Sequence, residues 1–128
     1  MVITISPEAT AIATCESGNT ATLGSIDYTA VNKNTDGTYD TGAWQFNSYW
    51  VWSKSDRWAI IPIANGVYDI SSTAFLRKYP TAADAPPSVQ YEMFKFLWNN
   101  GYGWRHWASS RKCWSQWITI DNGRAVIK

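Results

Sequence analysis

The pattern of apolar and polar positions predicts a helix close to the start of the chain. Ser6 is suited to cap a helix, Pro7 to stand at its first position, and Glu8 makes its first turn acidic. We expect the helix to run to about Ser17, because Gly18 follows as a residue that ends helices.

One face of this predicted helix is apolar until its last turn, where it ends in a carboxyl group. Steps of three and four residues place on this face Ala9, Ile12, Ala13 and Glu16. A carboxyl group at the edge of a core loses hydration, which disfavours its charged form and raises its pKa. Glu16 is therefore a candidate proton donor near neutral pH.

Helical spacing returns further along the chain. We expect helices at 48–58, at 70–79 before Pro80, and at 88–100, and a short aromatic-rich helix at about 104–113. The helix at 88–100 has the clearest pattern, in which the apolar residues with helical spacing are Val89, Met93, Phe96 and Leu97.

Two segments have the pattern of strands and turns. Residues 19–47 are rich in Asn, Thr, Gly and Asp, and Asp36-Gly37 is a strong turn signal, so a small antiparallel sheet is expected. The tail 117–127 alternates around Asp121-Asn122-Gly123, which predicts a terminal hairpin. With no repeat or low-complexity linker, we expect one domain over 1–128, of α+β class and mainly helical.

Charge and composition exclude several classes of function. The net charge of +1 gives no general attraction to nucleic acid or to acidic membranes, and no apolar run is long enough to span a membrane. Two cysteines and a single histidine, His106, are too few for a zinc site, so neither a metal nor a cofactor is expected. Nine Trp, seven Tyr and four Phe provide flat faces that stack on sugar rings or build a core.

Cys15 and Cys113 permit one long-range disulfide in an oxidising compartment. The first residues lack the basic and long apolar regions of a signal peptide. We therefore expect export by another route, or a trimmed chain.

Three segments together resemble the lysozyme superfamily over about residues 6–114. The first is Cys15-Glu16-Ser17-Gly18 at the end of the predicted helix. The second, NTDGTYDTGAWQFN at 34–47, is similar to the hairpin pattern N-x-D-G-S-x-D-x-G-x-x-Q-I-N of c-type lysozymes. The third, GWRHW at 103–107 followed by Cys113, resembles the helix that closes the cleft in that superfamily.

The cysteine before Glu16 also resembles that of bacterial resuscitation-promoting factors, which pair it with a cysteine after a Gly-Trp-x-x-Trp segment. This resemblance implies a Cys15–Cys113 disulfide. It further implies a lysozyme-like fold, with a small antiparallel sheet beside a cleft. The interval from Glu16 to Asp40 is longer than in c-type lysozymes, and we place the extra residues in a loop at 21–28.

The implied activity is cleavage of the β-1,4 bond between N-acetylmuramic acid and N-acetylglucosamine in peptidoglycan. Glu16 is the implied general acid, and Asp40 is the second carboxylate, expected to stay ionised among polar neighbours. Gln45 and Asn47 are implied substrate contacts, expected to share one side of a strand. The other implied substrate-binding residues are Trp50, which would stack on a sugar, Trp104, which would form a wall of the acid's pocket, Asn34 and Trp44.

Two alternatives remain open from the sequence. A lytic transglycosylase would break the same bond with Glu16 alone and form an anhydro product. A non-catalytic glycan-binding module or a structural virion protein would use the fold without the chemistry. For the glycosidase we expect a monomer whose partner is the glycan strand of the bacterial cell wall, as for a phage endolysin. It would reach the wall with the help of a holin, on a virion, or as a trimmed domain of a secreted enzyme. His106 is expected to be a packed or surface residue.

Overall fold

The computed structural model of the protein describes residues 3–54 and 72–128, and it has the α+β class expected from the sequence. Its α-helices are α1 (Pro7–Ser17), α2 (Ser72–Lys78), α3 (Pro87–Trp98) and α4 (Arg111–Trp114). Its 3-10 helices are Trp52–Lys54, Ala82–Asp84, Asn99–Gly101 and Trp104–Ser110. Its strands are β1 (Val31–Lys33), β2 (Tyr39–Thr41), β3 (Phe46–Asn47), β4 (Ile118–Asp121) and β5 (Arg124–Ile127).

Helix α1 has the predicted bounds and the predicted caps. The Ser6 Oγ atom accepts a hydrogen bond from Ala9 N at 3.1 Å, and Gly18 follows the last turn. A Cβ atom on Gly18 would lie 1.5 Å from Ser25 O, so only glycine allows the loop that follows α1 to pass so closely. The apolar face of α1 is buried, as predicted.

The loop that carries the predicted extra residues, 21–28, is hydrogen-bonded to α1. Thr14 Oγ1 accepts a hydrogen bond from Gly24 N at 3.0 Å, and Ser17 Oγ accepts one from Asp27 N at 3.1 Å. These bonds bring the chain back along the helix before β1 begins, so the added length does not separate the helix end from the sheet.

The core is centred on Trp44, whose side chain is 0% exposed. Its indole donates a hydrogen bond to Ala9 O at 2.9 Å and stacks on Phe94 of α3, with ring centroids 5.0 Å apart. Trp107 donates a hydrogen bond to Trp44 O at 2.9 Å, and Trp114 donates one to Trp107 O at 2.9 Å. Trp44 thus joins α1, the sheet region, α3 and the aromatic residues that follow α3 into one packed unit.

The predicted small sheet is present, with strand order β1-β2-β3 and antiparallel pairing throughout. Its first turn is closed by Asp36, whose Oδ1 atom accepts hydrogen bonds from Thr38 N at 2.9 Å and Thr38 Oγ1 at 2.7 Å. In this register Asp40 lies opposite Asn32 on β1 and Asn47 on β3. The sheet therefore surrounds the predicted second carboxylate with amide side chains.

The helix predicted at 48–58 is wrong in its described part. Residues 48–51 form turns and only Trp52–Lys54 is helical, of the 3-10 type. Ser53 N bonds to Ser48 O five residues back at 3.1 Å, which is not the four-residue step of an α-helix. The remainder of this prediction, and the first residues of the helix predicted at 70–79, lie outside the described residues; the described part of the latter is α2.

The helix predicted at 104–113 is divided in two. Residues Trp104–Ser110 form a 3-10 helix and α4 begins at Arg111. The 3-10 segment itself has a kink at Trp107, with φ −119° and ψ 25°. The carbonyl oxygen of Trp107 accepts hydrogen bonds from Ser110 Oγ at 3.1 Å and from the Trp114 indole, so side chains take the place of regular backbone bonds there.

The predicted terminal hairpin is present as β4 and β5, joined through Asn122 and Gly123. It packs on the residues that follow α3: Arg124 Nε donates a hydrogen bond to Asn100 O at 2.7 Å, and a Cβ atom on Gly101 would lie 2.3 Å from Ala125 O. In the described part of the chain, no helix is long and apolar enough to cross a membrane.

Candidate active site

A cleft of about 170 Å³ lies between the end of α1, the small sheet and the residues that follow α3. Both predicted carboxylates, Glu16 and Asp40, line it. The other lining residues are Trp44, Gln45, Phe46, Asn47, Val51, Leu97, His106, Trp107 and Ser109. Side chains that are far apart in the sequence thus meet at one concave surface.

The position of Glu16 is set by the residues on both sides of the cleft. It stands in the last turn of α1, directly after Cys15, which forms a disulfide with Cys113 of α4. The two Cα atoms of this disulfide are 5.8 Å apart, and the bond confirms the pairing implied by the resemblance. The side chain of Ser110, three residues before Cys113, is close enough to the Glu16 carboxyl group to hydrogen-bond with its charged form. The disulfide therefore fixes the acid against the segment that contacts it.

Burial raises the pKa of Glu16 above its ordinary value of 4.5, since the charged form would lose hydration in the half-buried cleft. The hydrogen bond to Ser110 opposes this effect, and repulsion from the charge of Asp40 adds to it. The net result favours a carboxyl group that keeps its proton at a higher pH than a solvated glutamate does.

Asp40 has a more polar environment. It is half-buried, and its Oδ1 atom accepts a hydrogen bond from Asn47 Nδ2 at 3.0 Å. The same amide nitrogen donates to Thr38 Oγ1 at 2.9 Å, and Thr38 in turn donates to Asp36. Asp40 is thus one end of a chain of hydrogen bonds along the sheet.

The strand geometry predicted for Gln45 and Asn47 is wrong. Gln45 precedes β3 and has a left-handed backbone, with φ 53°, so the two residues do not alternate along one strand. Both nevertheless line the cleft. The Gln45 amide is held by Asn32, whose Nδ2 atom donates to Oε1 at 2.7 Å, and by a hydrogen bond from Nε2 to Gly42 O at 3.0 Å.

Three other predicted substrate contacts either do not line the cleft or have no exposed surface in it. Asn34 closes the β1–β2 turn, where its Nδ2 atom donates to Thr38 Oγ1 at 3.1 Å. Trp50 is 57% exposed but lines a separate surface depression with Asp36 and Tyr49. Trp44 borders the cleft, yet its completely buried ring has no surface on which a sugar can stack.

The tryptophan at the wall of the cleft is Trp107 and not the predicted Trp104. The Trp104 indole donates to Gly123 O of the terminal hairpin at 3.1 Å, and the guanidinium groups of Arg105 and Arg111 lie 4.7 and 4.9 Å from its ring centre. The sequence signal for Trp107 was present, because both residues belong to the Gly-Trp-x-x-Trp segment. The spacing alone did not tell which of the two rings faces the acid.

His106 also lines the cleft, although its side chain is largely exposed. Partial burial of the ring lowers its pKa below the ordinary value of 6.5, so the imidazole is mainly neutral at pH 7. Among the described residues, no group of three or more His, Cys, Asp or Glu side chains is arranged to hold a metal ion.

The cleft brings together the groups that acid catalysis at an acetal requires. A carboxyl group with a raised pKa can protonate a leaving oxygen, and a second carboxylate nearby can stabilise the positive charge that develops on carbon. The amides of Gln45 and Asn47 and the ring of Trp107 complete a wall of mixed polarity. Comparison of the chain with models of protein families, with curated proteins and with solved structures gives no match.

Proposed function

We propose that the protein has a lysozyme-like fold and is a peptidoglycan glycosidase that cleaves the β-1,4 bond between N-acetylmuramic acid and N-acetylglucosamine. One observation carries this proposal: Glu16, whose pKa is raised by burial, lines the same cleft as Asp40. The similarity of residues 34–47 to the c-type lysozyme hairpin names the substrate class that the geometry alone leaves open.

In the proposed reaction, protonated Glu16 gives its proton to the glycosidic oxygen as the bond to carbon breaks. The Asp40 carboxylate would face the oxocarbenium-like centre and stabilise its charge until water adds to the carbon, or attack it to form a covalent intermediate that water then hydrolyses. In both cases the attacking water gives its proton to the Glu16 carboxylate, which restores the acid. Asn47 orients Asp40 through the 3.0 Å hydrogen bond. Trp107 keeps water from one side of Glu16.

The site of action would be the bacterial cell wall, where this polymer is found. The Cys15–Cys113 disulfide fits that proposal, because disulfides persist in oxidising compartments outside the cytoplasm. A phage endolysin or a virion-borne hydrolase would act on the wall in this way.

The test is lysis of purified cell wall by the wild type and by Glu16→Gln, followed as a fall in turbidity. We expect the substitution to lower the rate about 1000-fold, since it removes the proton donor and keeps the shape of the side chain. Glu8→Gln is the matched control, because it makes the same chemical change in the first turn of the same helix and should leave the rate unchanged.

Mass spectrometry of the released fragments identifies the reaction. Hydrolysis gives reducing ends, whereas a lytic transglycosylase gives anhydro ends that are lighter by one water. Undiminished lysis by Glu16→Gln would contradict the proposed role of the acid. Wall binding by the wild type without any release of fragments would instead indicate a non-catalytic glycan-binding module.

A further inference from the structure

A second and larger groove adjoins the cleft. It has a volume of about 610 Å³ and shares two lining residues with the cleft, Leu97 and His106. Its other lining residues are Lys95, Phe96, Asn99, Asn100, Tyr102 and Gly103, from the last turns of α3 and the residues that follow. We call it the α3 groove. A ligand in the cleft can therefore extend into it past His106 without leaving the protein surface.

The charge of the α3 groove favours an anionic ligand. Its described lining contains one cation, Lys95, and no acidic residue, while His106 is mainly neutral at pH 7. The sequence around it has the same character, because no Asp or Glu occurs between Glu92 and Asp121 whereas four Lys or Arg residues do: Lys95, Arg105, Arg111 and Lys112. The sheet on the other side of the cleft contains two acidic residues, Asp36 and Asp40, and one basic residue, Lys33. The two sides of the cleft thus differ in charge.

Lys95 is placed to exchange its present partner for a ligand. Its ammonium group lies 2.8 Å from a Glu92 carboxylate oxygen and 4.8 Å from the centre of the Tyr91 ring, and its side chain is 49% exposed. Surface ion pairs of this kind contribute little to stability, so an incoming carboxylate can replace Glu92 at small cost. Glu92 therefore competes with any anion for Lys95.

The rim of the α3 groove is held by the terminal hairpin. Asn99 and Asn100 both have left-handed backbones, with φ 47° and 58°. Arg124 of β5 fixes the second of them, since Nη2 donates to Asn100 Oδ1 at 3.0 Å in addition to the bond from Nε to its carbonyl oxygen. Next to this rim, Tyr102 is 55% exposed. The groove thus combines a positive charge, side-chain amides and an accessible aromatic ring on a supported backbone.

We propose that the α3 groove binds the acidic stem peptide that N-acetylmuramic acid carries on its lactyl group while the glycan strand occupies the cleft. The inference rests on the proposed function. A peptide has the carboxylates that Lys95 requires and the amide groups that Asn99 and Asn100 can bond to. A phosphate of teichoic acid shares the negative charge, but the stem peptide is attached to the sugar that would occupy the cleft, and the α3 groove adjoins the cleft at Leu97 and His106.

The experiment uses glycan strands in three forms. The first carry stem peptides but no teichoic acid, and the second are the same strands after an amidase has removed the peptides. The third retain both the peptides and the teichoic acid. Binding is measured with the Glu16→Gln variant, and cleavage with the wild type. We expect binding to weaken about threefold or more when the peptides are removed. Teichoic acid should make no difference.

Substitutions of Lys95 and Glu92, which form one ion pair, test whether the α3 groove is the site that binds the peptide. Lys95→Glu and the milder Lys95→Gln should each weaken binding of the peptide-bearing strands, Lys95→Gln by about threefold, and leave binding of peptide-free strands unchanged. Glu92→Gln should strengthen binding of the peptide-bearing strands, because it removes the competing carboxylate. Lys33→Glu is the matched control, since it reverses one exposed lysine on β1, away from the α3 groove.

The outcomes separate this inference from the proposed function. Equal binding of peptide-bearing and peptide-free strands, or equal losses for Lys95→Glu and Lys33→Glu, would overturn the α3 groove as the peptide site. A loss on removal of teichoic acid alone would assign the groove to phosphate and overturn the proposal as well. Peptide-dependent binding without any cleavage by the wild type would support the groove and contradict the glycosidase.

Discussion

The two sides of the cleft hold their carboxyl groups in opposite ways. Glu16 stands at the end of an apolar helix face, fixed by the adjacent disulfide, in a cleft that the buried Trp107 also lines. Asp40 stands on a small, mostly exposed sheet and accepts a hydrogen bond from Asn47. One side withholds water from its carboxyl group and the other provides an amide donor.

This difference explains why Glu16 keeps its proton to a higher pH than a solvated glutamate does. Desolvation disfavours the charged form of its carboxyl group, and the nearby charge of Asp40 raises its pKa further. Substitutions that remove the contacts of either carboxyl group should therefore alter both the stability and the activity of the protein.

Loss of the disulfide should have the largest effect on stability. The Cys15→Ser, Cys113→Ser double variant releases a loop of 98 residues in the unfolded chain and should lower the free energy of unfolding by about 4 kcal/mol. It should also reduce activity, because Glu16 is no longer fixed against Ser110. Urea unfolding with and without reductant measures the effect. Coincident transitions for the oxidised and reduced wild type would refute it, and the double variant should not respond to reductant.

Trp107→Phe and Trp104→Phe compare the two tryptophans of one motif. Trp107→Phe leaves the buried Trp44 carbonyl without its donor and should cost about 2 to 3 kcal/mol, with a roughly tenfold loss of kcat/KM as water reaches Glu16. Trp104→Phe removes the bond to Gly123 O and should cost about 1 kcal/mol with unchanged kcat/KM. A larger loss of activity in Trp104→Phe would reverse our assignment of the wall.

Asn47→Ala tests the polar side of the cleft. The substitution removes a donor from Asp40 and Thr38, and an acceptor from the backbone N–H groups of Tyr49 and Trp50, so it should cost about 1 to 2 kcal/mol. We expect kcat/KM to fall about tenfold, because Asp40 is no longer oriented. Asn32→Ala, which removes only the bond to Gln45, is the control and should change stability by less than about 0.5 kcal/mol.

The stability of Glu16→Gln should depend on pH in a different way from that of the wild type, and this effect should be smaller than those above. Because the pKa of Glu16 is raised on folding, the folded protein keeps this proton at a pH where the unfolded chain has lost it. The contribution of Glu16 to the free energy of unfolding is therefore fully present below pH 4.5. It declines as the pH rises through the pKa that Glu16 has in the folded protein. Thermal unfolding should show Glu16→Gln to be more stable than the wild type at pH 7, with a difference that narrows toward pH 4.5. A difference that widens on acidification would have the wrong sign.

The parts of the fold that follow from local chemistry were predictable. Helix α1 has a capping serine, a proline and a terminal glycine within its own segment, and the first hairpin turn is closed by Asp36 bonding two residues ahead. The disulfide pairing came from the resemblance of short motifs and not from spacing. Asp40 was a candidate for the same reason, whereas Glu16 was also indicated by its place at the end of the apolar face of α1.

The parts that depend on tertiary contacts were not predictable from a single chain. The backbone is kinked at Trp107, whose carbonyl oxygen accepts hydrogen bonds from the side chains of Ser110 and Trp114. Trp104 donates its indole hydrogen bond to the terminal hairpin and does not line the cleft. Gln45 likewise has a left-handed backbone where its side chain accepts a hydrogen bond from Asn32 on β1. Periodicity contains no information about these bonds.

The most direct test of the difference between the two sides of the cleft is a titration of the Glu16 carboxyl carbon by NMR, in the wild type and in Asp40→Asn. We predict a pKa for Glu16 above 4.5 in the wild type and a lower one in Asp40→Asn, where the repulsion is gone. A wild-type pKa at or below 4.5, or one that does not respond to Asp40→Asn, would contradict the account.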